Sequence, residues 1–157
     1  LIVADEPVSM IDVSLRLSLL NLMKSLNEKL GMSFVYISHD LSTTRYIARN
    51  GRVADMYLGE IVELGNIGKV VSCPRHPYTR ALIQAVPIPD PEFRGVDELP
   101  LRSMMLGSLE NRGEGCPFFD RCLYAIDKCK NKIELTHTDT AKILCCNLKD
   151  VPDSPVF

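Results

Sequence analysis

The sequence contains no apolar run approaching the roughly 18–20 residues that a membrane-crossing helix needs, so any place at a membrane must come through binding something that spans it. It has no excess of one charge: 18 Lys and Arg stand against 20 Asp and Glu, a formal charge of −2. A basic surface for nucleic acid is therefore disfavoured. There is no internal repeat, no low-complexity tract, and no positively charged leader running into an apolar segment of the secretory kind. Nor does the chain begin with Met. Leu1-Ile2-Val3-Ala4 reads as a strand already under way, and the sequence is expected to be the C-terminal part of a longer protein.

What is present suffices for one core, or one core and a small appendage: 157 residues, 46% of them hydrophobic. The β-branched run at Leu1–Ala4 ends on two acids, Asp5 and Glu6. From Val13, the residues Leu17, Leu20, Met23, Leu26 and Leu30 recur at three- and four-residue spacing, the buried stripe of a helix. Asp12 is placed to cap its start and Gly31 to stop it. Ser33–Ile37 reads as a second buried strand, so strand, helix and strand form a βαβ unit with parallel strands. A helix over Leu41–Arg49 and two strands, Arg52–Leu58 and Glu60–Leu64, joined near Gly59, are predicted next; Asp55 is an awkward charge in the first of them. Short helices follow at Ile67–Ser72 and Tyr78–Ala85, the latter entered through Pro77. Pro87, Pro89 and Pro91 stop regular structure, and 87–102 reads as a linker or extended wrap.

Parallel strands open their C-terminal ends on one edge of the sheet, the edge where open α/β sheets bind ligands. Asp5 and Glu6 leave the first strand there; Ser38, His39 and Asp40 leave the second. Two acids and an imidazole converging on one edge suit a magnesium–phosphate reaction, with one carboxylate for the hydrated metal, a second for water and the imidazole for the terminal phosphate. By geometry alone, the plainer reading is favoured, that acids after a strand merely cap the next helix.

The residues themselves are more specific. Leu1-Ile2-Val3-Ala4-Asp5-Glu6-Pro7 resembles the Walker B segment of ATP-binding-cassette (ABC) ATPases. Ser9-Met10-Ile11-Asp12 resembles the D-loop of that family, and Ile37-Ser38-His39-Asp40 its switch-histidine segment, all in the family's order. The resemblance implies an α/β fold, the C-terminal half of a P-loop nucleotide-binding domain over 1–66. It implies Asp5 on the magnesium of Mg2+–ATP, Glu6 as general base, His39 as sensor of the γ-phosphate, and Asp12 signalling across a nucleotide-sandwich dimer. Asp40 is expected to be an N-cap rather than a reactant. Met10-Ile11 departs from the usual D-loop pair but stays apolar, and the stretch around Asn50-Gly51 is slightly longer than the family pattern. The family's phosphate loop, G-x-x-x-x-G-K-[ST], does not occur in these residues, nor do its Leu-Ser-Gly-Gly-Gln signature and glutamine loop. Without that cradle, the fragment by itself is expected to be inactive.

Within the family, Ile61-Val62-Glu63-Leu64-Gly65 and Arg75-His76-Pro77-Tyr78-Thr79-Arg80-Ala81-Leu82 resemble the extension of ATPases from oligopeptide, dipeptide and nickel importers. That resemblance implies an irregular, Cys-rich C-terminal domain over 67–157. It also implies two transmembrane permease subunits, a second ABC ATPase subunit forming a homo- or heterodimer, an extracytoplasmic substrate-binding protein, no nucleic acid, and a peripheral place on the cytoplasmic face of the membrane.

The chain has six cysteines, and with no secretory signal they favour a metal or cluster site over a disulfide framework. Cys116, Cys122 and Cys129 are separated by five and six residues, wider than the usual zinc knuckle. The tail Gly115-Cys116-Pro117-Phe118-Phe119-Asp120-Arg121-Cys122 resembles that of many peptide-importer ATPases. The resemblance implies a four-iron, four-sulfur cluster on Cys116, Cys122, Cys129 and Cys146, with Cys145 as rival fourth ligand. Zinc, or plain free thiols, are the alternatives. Cys73 is expected to be a buried thiol and His137 a surface histidine. Two other functions are weighed against the importer motor: a soluble ABC-type ATPase of DNA repair or chromosome structure, which shares the Walker B and switch segments, and a non-catalytic metal-binding regulatory module.

Overall fold

The structure, a computed structural model, describes residues 1–86, 99–105, 113–139 and 141–153. It combines helices and strands in two compact units, Leu1–Arg49 and Asn50–Phe157.

The first unit is the expected βαβ element. Strand β1 (Ile2–Asp5) and strand β2 (Phe34–Ile37) pair in parallel, with Ile2 beside Phe34 and Asp5 beside Ile37. Between them runs helix α1 (Val13–Leu30). Its boundaries follow from local chemistry. The Asp12 carboxylate accepts the amides of Ser14 at 2.9 Å and Leu15 at 3.1 Å, and Gly31 takes the left-handed conformation at φ 64° that closes the last turn. Helix α2 (Leu41–Ile47) is capped by Asp40, which accepts from Ser42 at 2.8 Å and Thr43 at 3.3 Å. It stops two residues short of the predicted Arg49.

The apolar stripe of α1 is only partly covered within this unit. Leu20 and Met23 are buried, whereas Val13, Leu17 and Leu30 are exposed. Length explains the difference: an 18-residue helix spans about 27 Å, while strands of four residues span about 13 Å. The short elements beside α1 cover its middle turns alone.

The second unit is built on an antiparallel sheet in the order β3-β4-β6-β5. Strand β3 (Arg52–Tyr57) and strand β4 (Glu60–Asn66) form a hairpin whose two-residue turn, Leu58-Gly59, has both φ values positive, the geometry that tight hairpins prefer. A bulge lies between Asp55 and Met56. Helix α3 (Ile67–Ser72) is capped by Asn66, and helix α4 (Pro77–Gln84) by His76, with Pro77 in its first turn. The cysteine-rich segment contains two 3-10 turns, Phe119–Arg121 and Asp127–Lys130, and two short strands, β5 (Thr136–His137) and β6 (Ala141–Ile143). These strands were not legible in the sequence, and β6 adds directly to β4.

One apolar cluster joins the hairpin to the cysteine segment through Tyr57, Val62, Phe118, Cys122 and Leu144. Phe118 meets Tyr57 edge-on with centroids 5.3 Å apart. A second cluster gathers Val70, Ala141, Ile143, Cys145 and Val151. Most of the predicted linker, 87–98, lies outside the described residues; beyond it Leu101 bridges to Cys122.

Candidate functional site

The chemistry-bearing residues fall in two places, one in each unit. In the first unit, pairing of β1 with β2 brings the two strand ends together as the βαβ topology requires. The Glu6 amide donates to the Ile37 carbonyl at 2.9 Å, which extends the ladder one residue beyond Asp5. Glu6 itself has a positive φ of 45°, an uncommon conformation for a residue with a side chain. The turn is held by Ser9, whose amide and hydroxyl both donate to the Glu6 carbonyl, at 3.2 and 2.9 Å.

The Glu6 carboxylate then reaches His39 across the gap. Its Oε1 lies 2.7 Å from His39 Nδ1 and accepts the His39 backbone amide at 3.1 Å. These bonds, first of all the one from the imidazole, hold the Glu6 carboxyl below its ordinary range. The His39 side chain is 83% exposed, so its remaining nitrogen faces solvent. Asp5 ends β1 beside Ile37, and its side chain is exposed. Asp12 and Asp40 both serve as helix caps; Asp40 also stands 3.6 Å from the Arg16 guanidinium. Of the predicted reactive set, the structure brings Glu6 and His39 into direct contact, with Asp5 preceding Glu6 at the end of β1.

In the second unit, the Ile61–Gly65 and Arg75–Leu82 motifs prove to be one connected device. Glu63, fully buried on β4, accepts the backbone amides of Arg75 at 3.0 Å and His76 at 2.8 Å. His76, 1% exposed, in turn accepts the Tyr78 amide on Nδ1 at 3.1 Å and so starts α4. Burial drives the His76 ring down to about 3, so the imidazole is neutral and its proton sits on Nε2. The awkward Asp55 is the cross-strand partner of Glu63. Burial raises both carboxyls; for Glu63, the two amides work in the opposite direction. Glu63 is the residue that sequence reasoning missed: its partners are backbone groups 12 and 13 positions away, which no local pattern announces.

His76 also lies on the wall of a cavity that it shares with Cys116, Cys122, Cys129, Cys145 and Cys146. The four cysteines proposed as ligands therefore converge, and the rival Cys145 joins them while also packing in the core beside Ile143. Cys73 is outside this group. It is half-buried rather than buried, and its thiol lies 3.4 Å from Asp153. His137 is exposed on β5, as expected. Gly115 is required by a close approach: a Cβ there would run into the Cys129 and Lys130 carbonyls, and the adjacent Cys116 amide donates to the Cys129 carbonyl at 2.8 Å. Burial, and then the neighbouring thiols, push Cys116 up to about 12 and Cys122 up to about 11. Among the described residues no three His, Cys, Asp or Glu side chains stand close enough to hold a single metal ion. The thiols are instead distributed around the cavity walls.

Comparison with known proteins bears on both places. Residues 62–129 match the family model described as the C-terminal region of the oligopeptide/dipeptide transporter. Over 93% of its length the chain is 41% identical to the oligopeptide transport ATP-binding protein OppF of Haemophilus influenzae. It is 43% identical over 94% to the dipeptide transport ATP-binding protein DppF of the same organism. Over 82% it is 44% identical to OppF of Escherichia coli. The chain spans less than half the length of these relatives, 44%, 44% and 38% respectively.

Proposed function

The chain belongs to the family of oligopeptide and dipeptide transport ATP-binding proteins, and on that premise we propose that it is part of the ATP-hydrolysing motor subunit of a peptide importer. In this reading, 1–66 supply the Walker B, D-loop and switch segments of the ABC core, and 67–157 form an importer-type extension. The extension takes β4 of the core as a sheet partner, through β6.

The observation that carries the proposal is the Glu6–His39 contact at the C-terminal edge of two parallel strands. Glu6 is the general base: its Oε1 is fixed by the His39 ring and amide, which aims the second carboxylate oxygen at an attacking water. His39 turns Nδ1 to Glu6 and keeps Nε2 for the terminal phosphate. Asp5 would hold the magnesium ion, which when bound neutralises charge on the phosphates. Asp12 communicates with the second ATPase subunit. The partners are two permease subunits, a second ABC subunit and a substrate-binding protein, with the motor placed peripherally on the cytoplasmic face of the membrane. Among the described residues no helix is long and apolar enough to cross a membrane.

A thiolate-bound iron–sulfur cluster is the reading we favour for the cysteine segment, supported by the wide spacing of Cys116, Cys122 and Cys129 and by one cavity that these residues line together with Cys146. Cys116, Cys122, Cys129 and Cys146 would hold it. Burial pushes the Cys116, Cys122 and Cys146 thiols up, and a metal centre would reverse that, since a coordinating thiol gives up its proton. Cys145 is assigned to the core.

Joining this chain to the upstream half of the Haemophilus OppF ATPase tests the motor reading. Glu6→Gln should abolish hydrolysis while ATP binding is retained; unchanged turnover rejects Glu6 as the base. The 157 residues alone, which include no phosphate loop, should show no turnover.

A further inference from the structure

Arg16, in the first turn of α1, makes a link that the roles assigned to Asp5, Glu6 and His39 leave unused. Its backbone amide donates to the Asp12 carbonyl at 2.9 Å, which roots it in the Ser9–Asp12 turn. Its two terminal guanidinium nitrogens reach two different segments. Nη2 donates to the Ile11 carbonyl at 3.5 Å, and Nη1 lies 3.6 Å from Asp40 Oδ2. Nε is buried with no hydrogen-bond partner among the described residues, so the two terminal nitrogens carry the link. Asp40 divides its carboxylate: Oδ1 takes the Ser42 and Thr43 amides that start α2, and Oδ2 faces Arg16. The Asp40 amide donates to Ser38 Oγ at 3.1 Å, so the turn that carries His39 is closed on itself and tied to α1 through Arg16. A second tie fastens the other end of α2, where the Tyr46 hydroxyl donates to Asn21 Oδ1 at 2.5 Å.

The side chains of Arg16 and Asp40 are 31% and 34% exposed, and an ion pair in that setting contributes little to stability. What a guanidinium supplies is position, because its donors lie in one rigid plane and cannot move independently. We propose that Arg16 is a positioning residue that joins the Ser9–Asp12 turn to the switch segment and sets where His39 stands against Glu6. The inference rests on the motor reading and adds to it the route by which a change in the Ser9–Asp12 turn reaches the reacting groups. A displacement of Ile11 carries the guanidinium with it, and Asp40 follows through Oδ2. His39 directly precedes Asp40, so its ring shifts relative to Glu6 Oε1, 2.7 Å away. Arg16 thus acts on the chemistry through Asp40.

A double-mutant cycle tests the link in the ATPase made by joining this chain to the upstream half of Haemophilus OppF. Arg16→Ala should lower kcat about 10-fold or more, since a misplaced reacting group is felt in turnover. KM for ATP should stay within about twofold of the wild-type value, because ground-state binding is untouched. Asp40→Asn keeps an oxygen to cap α2 and removes the charge that faces Arg16. It should lose kcat to a similar extent with Tm unchanged, and it decides the matter if Arg16→Ala fails to fold. The double variant should lose no more than the larger single loss, because both changes cut one link. Wild-type kcat in either single variant, a loss seen in KM alone, or losses that multiply in the double variant would overturn the proposal. An inactive parent, or turnover retained in Glu6→Gln, would bring down the motor reading and this inference with it. An active parent and an inactive Glu6→Gln, with Arg16→Ala and Asp40→Asn at the wild-type rate, reject the positioning role alone.

Discussion

Glu63 on β4 accepts the backbone amide of His76 at 2.8 Å, from a position with no exposure to solvent. The same carboxylate takes the Arg75 amide, so a single side chain closes the turn from which α4 departs. Glu63→Ala leaves both donors without their partner. Hydrogen bonds to a charged group are worth roughly 1.5–3 kcal/mol, and a buried unsatisfied donor costs a similar amount. A loss of about 3 kcal/mol or more is expected, seen as a fall in Tm of roughly 10 °C for a chain of this size. Glu63→Gln, which keeps one acceptor oxygen, should lose distinctly less. Equal losses in the two variants would show that the acceptor does not matter.

Asp55 stands opposite Glu63, and burial raises both carboxyls above their ordinary values. For an acid with a raised folded pKa, the folded state binds the proton more tightly than the unfolded chain does. The pair therefore contributes most stability below the unfolded value, about 4, and that contribution is lost as pH rises through the folded values. Asp55→Asn removes one buried charge and relieves Glu63. Its Tm should exceed that of the wild type at pH 7, and the difference should shrink towards pH 4. Glu6 and Asp127, both lowered, act in the opposite sense, losing their contribution as pH falls. Since they are unchanged in the variant, the comparison isolates the buried pair. A variant less stable than wild type at pH 7 would refute this account.

Features set by adjacent residues could be read from the sequence. Asp12, Gly31 and Asp40 act within a few positions of themselves, and all three cap their helices as expected. The meeting of Glu6 with His39 was also accessible, because parallel pairing dictates which strand ends coincide. The role of Glu63 was hidden, since its partners are amides with no side-chain signature. Strand β6 was hidden for a different reason: three residues are too short a run for periodicity, and its place is fixed by β4. Cysteine spacing located the cavity but left open whether Cys145 joins its walls, which emerged only from the fold.

Gly115 tests whether the cavity depends on close backbone packing. Gly115→Ala forces its Cβ against the Cys129 and Lys130 carbonyls, so the Cys116–Cys129 hydrogen bond must shift. Overpacking of this kind costs about 1–3 kcal/mol. The cavity thiols should then react faster with a chromogenic disulfide reagent. Gly113→Ala is the control, because a Cβ there meets nothing within 4 Å. Identical thiol kinetics in the two variants would separate Gly115 from the cavity.

One pair of substitutions separates the capping role of Asp12 from the inter-subunit role proposed for it. In this chain its carboxylate caps α1 through the Ser14 and Leu15 amides, which is a matter of stability. In the proposed motor it also signals to a second subunit, which is a matter of turnover. Asn caps a helix about as well as Asp, whereas Ala costs about 1 kcal/mol. Asp12→Ala should therefore lower Tm by roughly 3 °C, and Asp12→Asn should leave it unchanged. If the carboxylate charge carries the signal between subunits, both variants slow ATP hydrolysis in the reconstituted dimer, Asn included. Should Asp12→Asn hydrolyse ATP at the wild-type rate, the residue is a helix cap and nothing more. The inter-subunit role would then have to be sought elsewhere in the Ser9–Asp12 turn, where the Met10 side chain is 98% exposed.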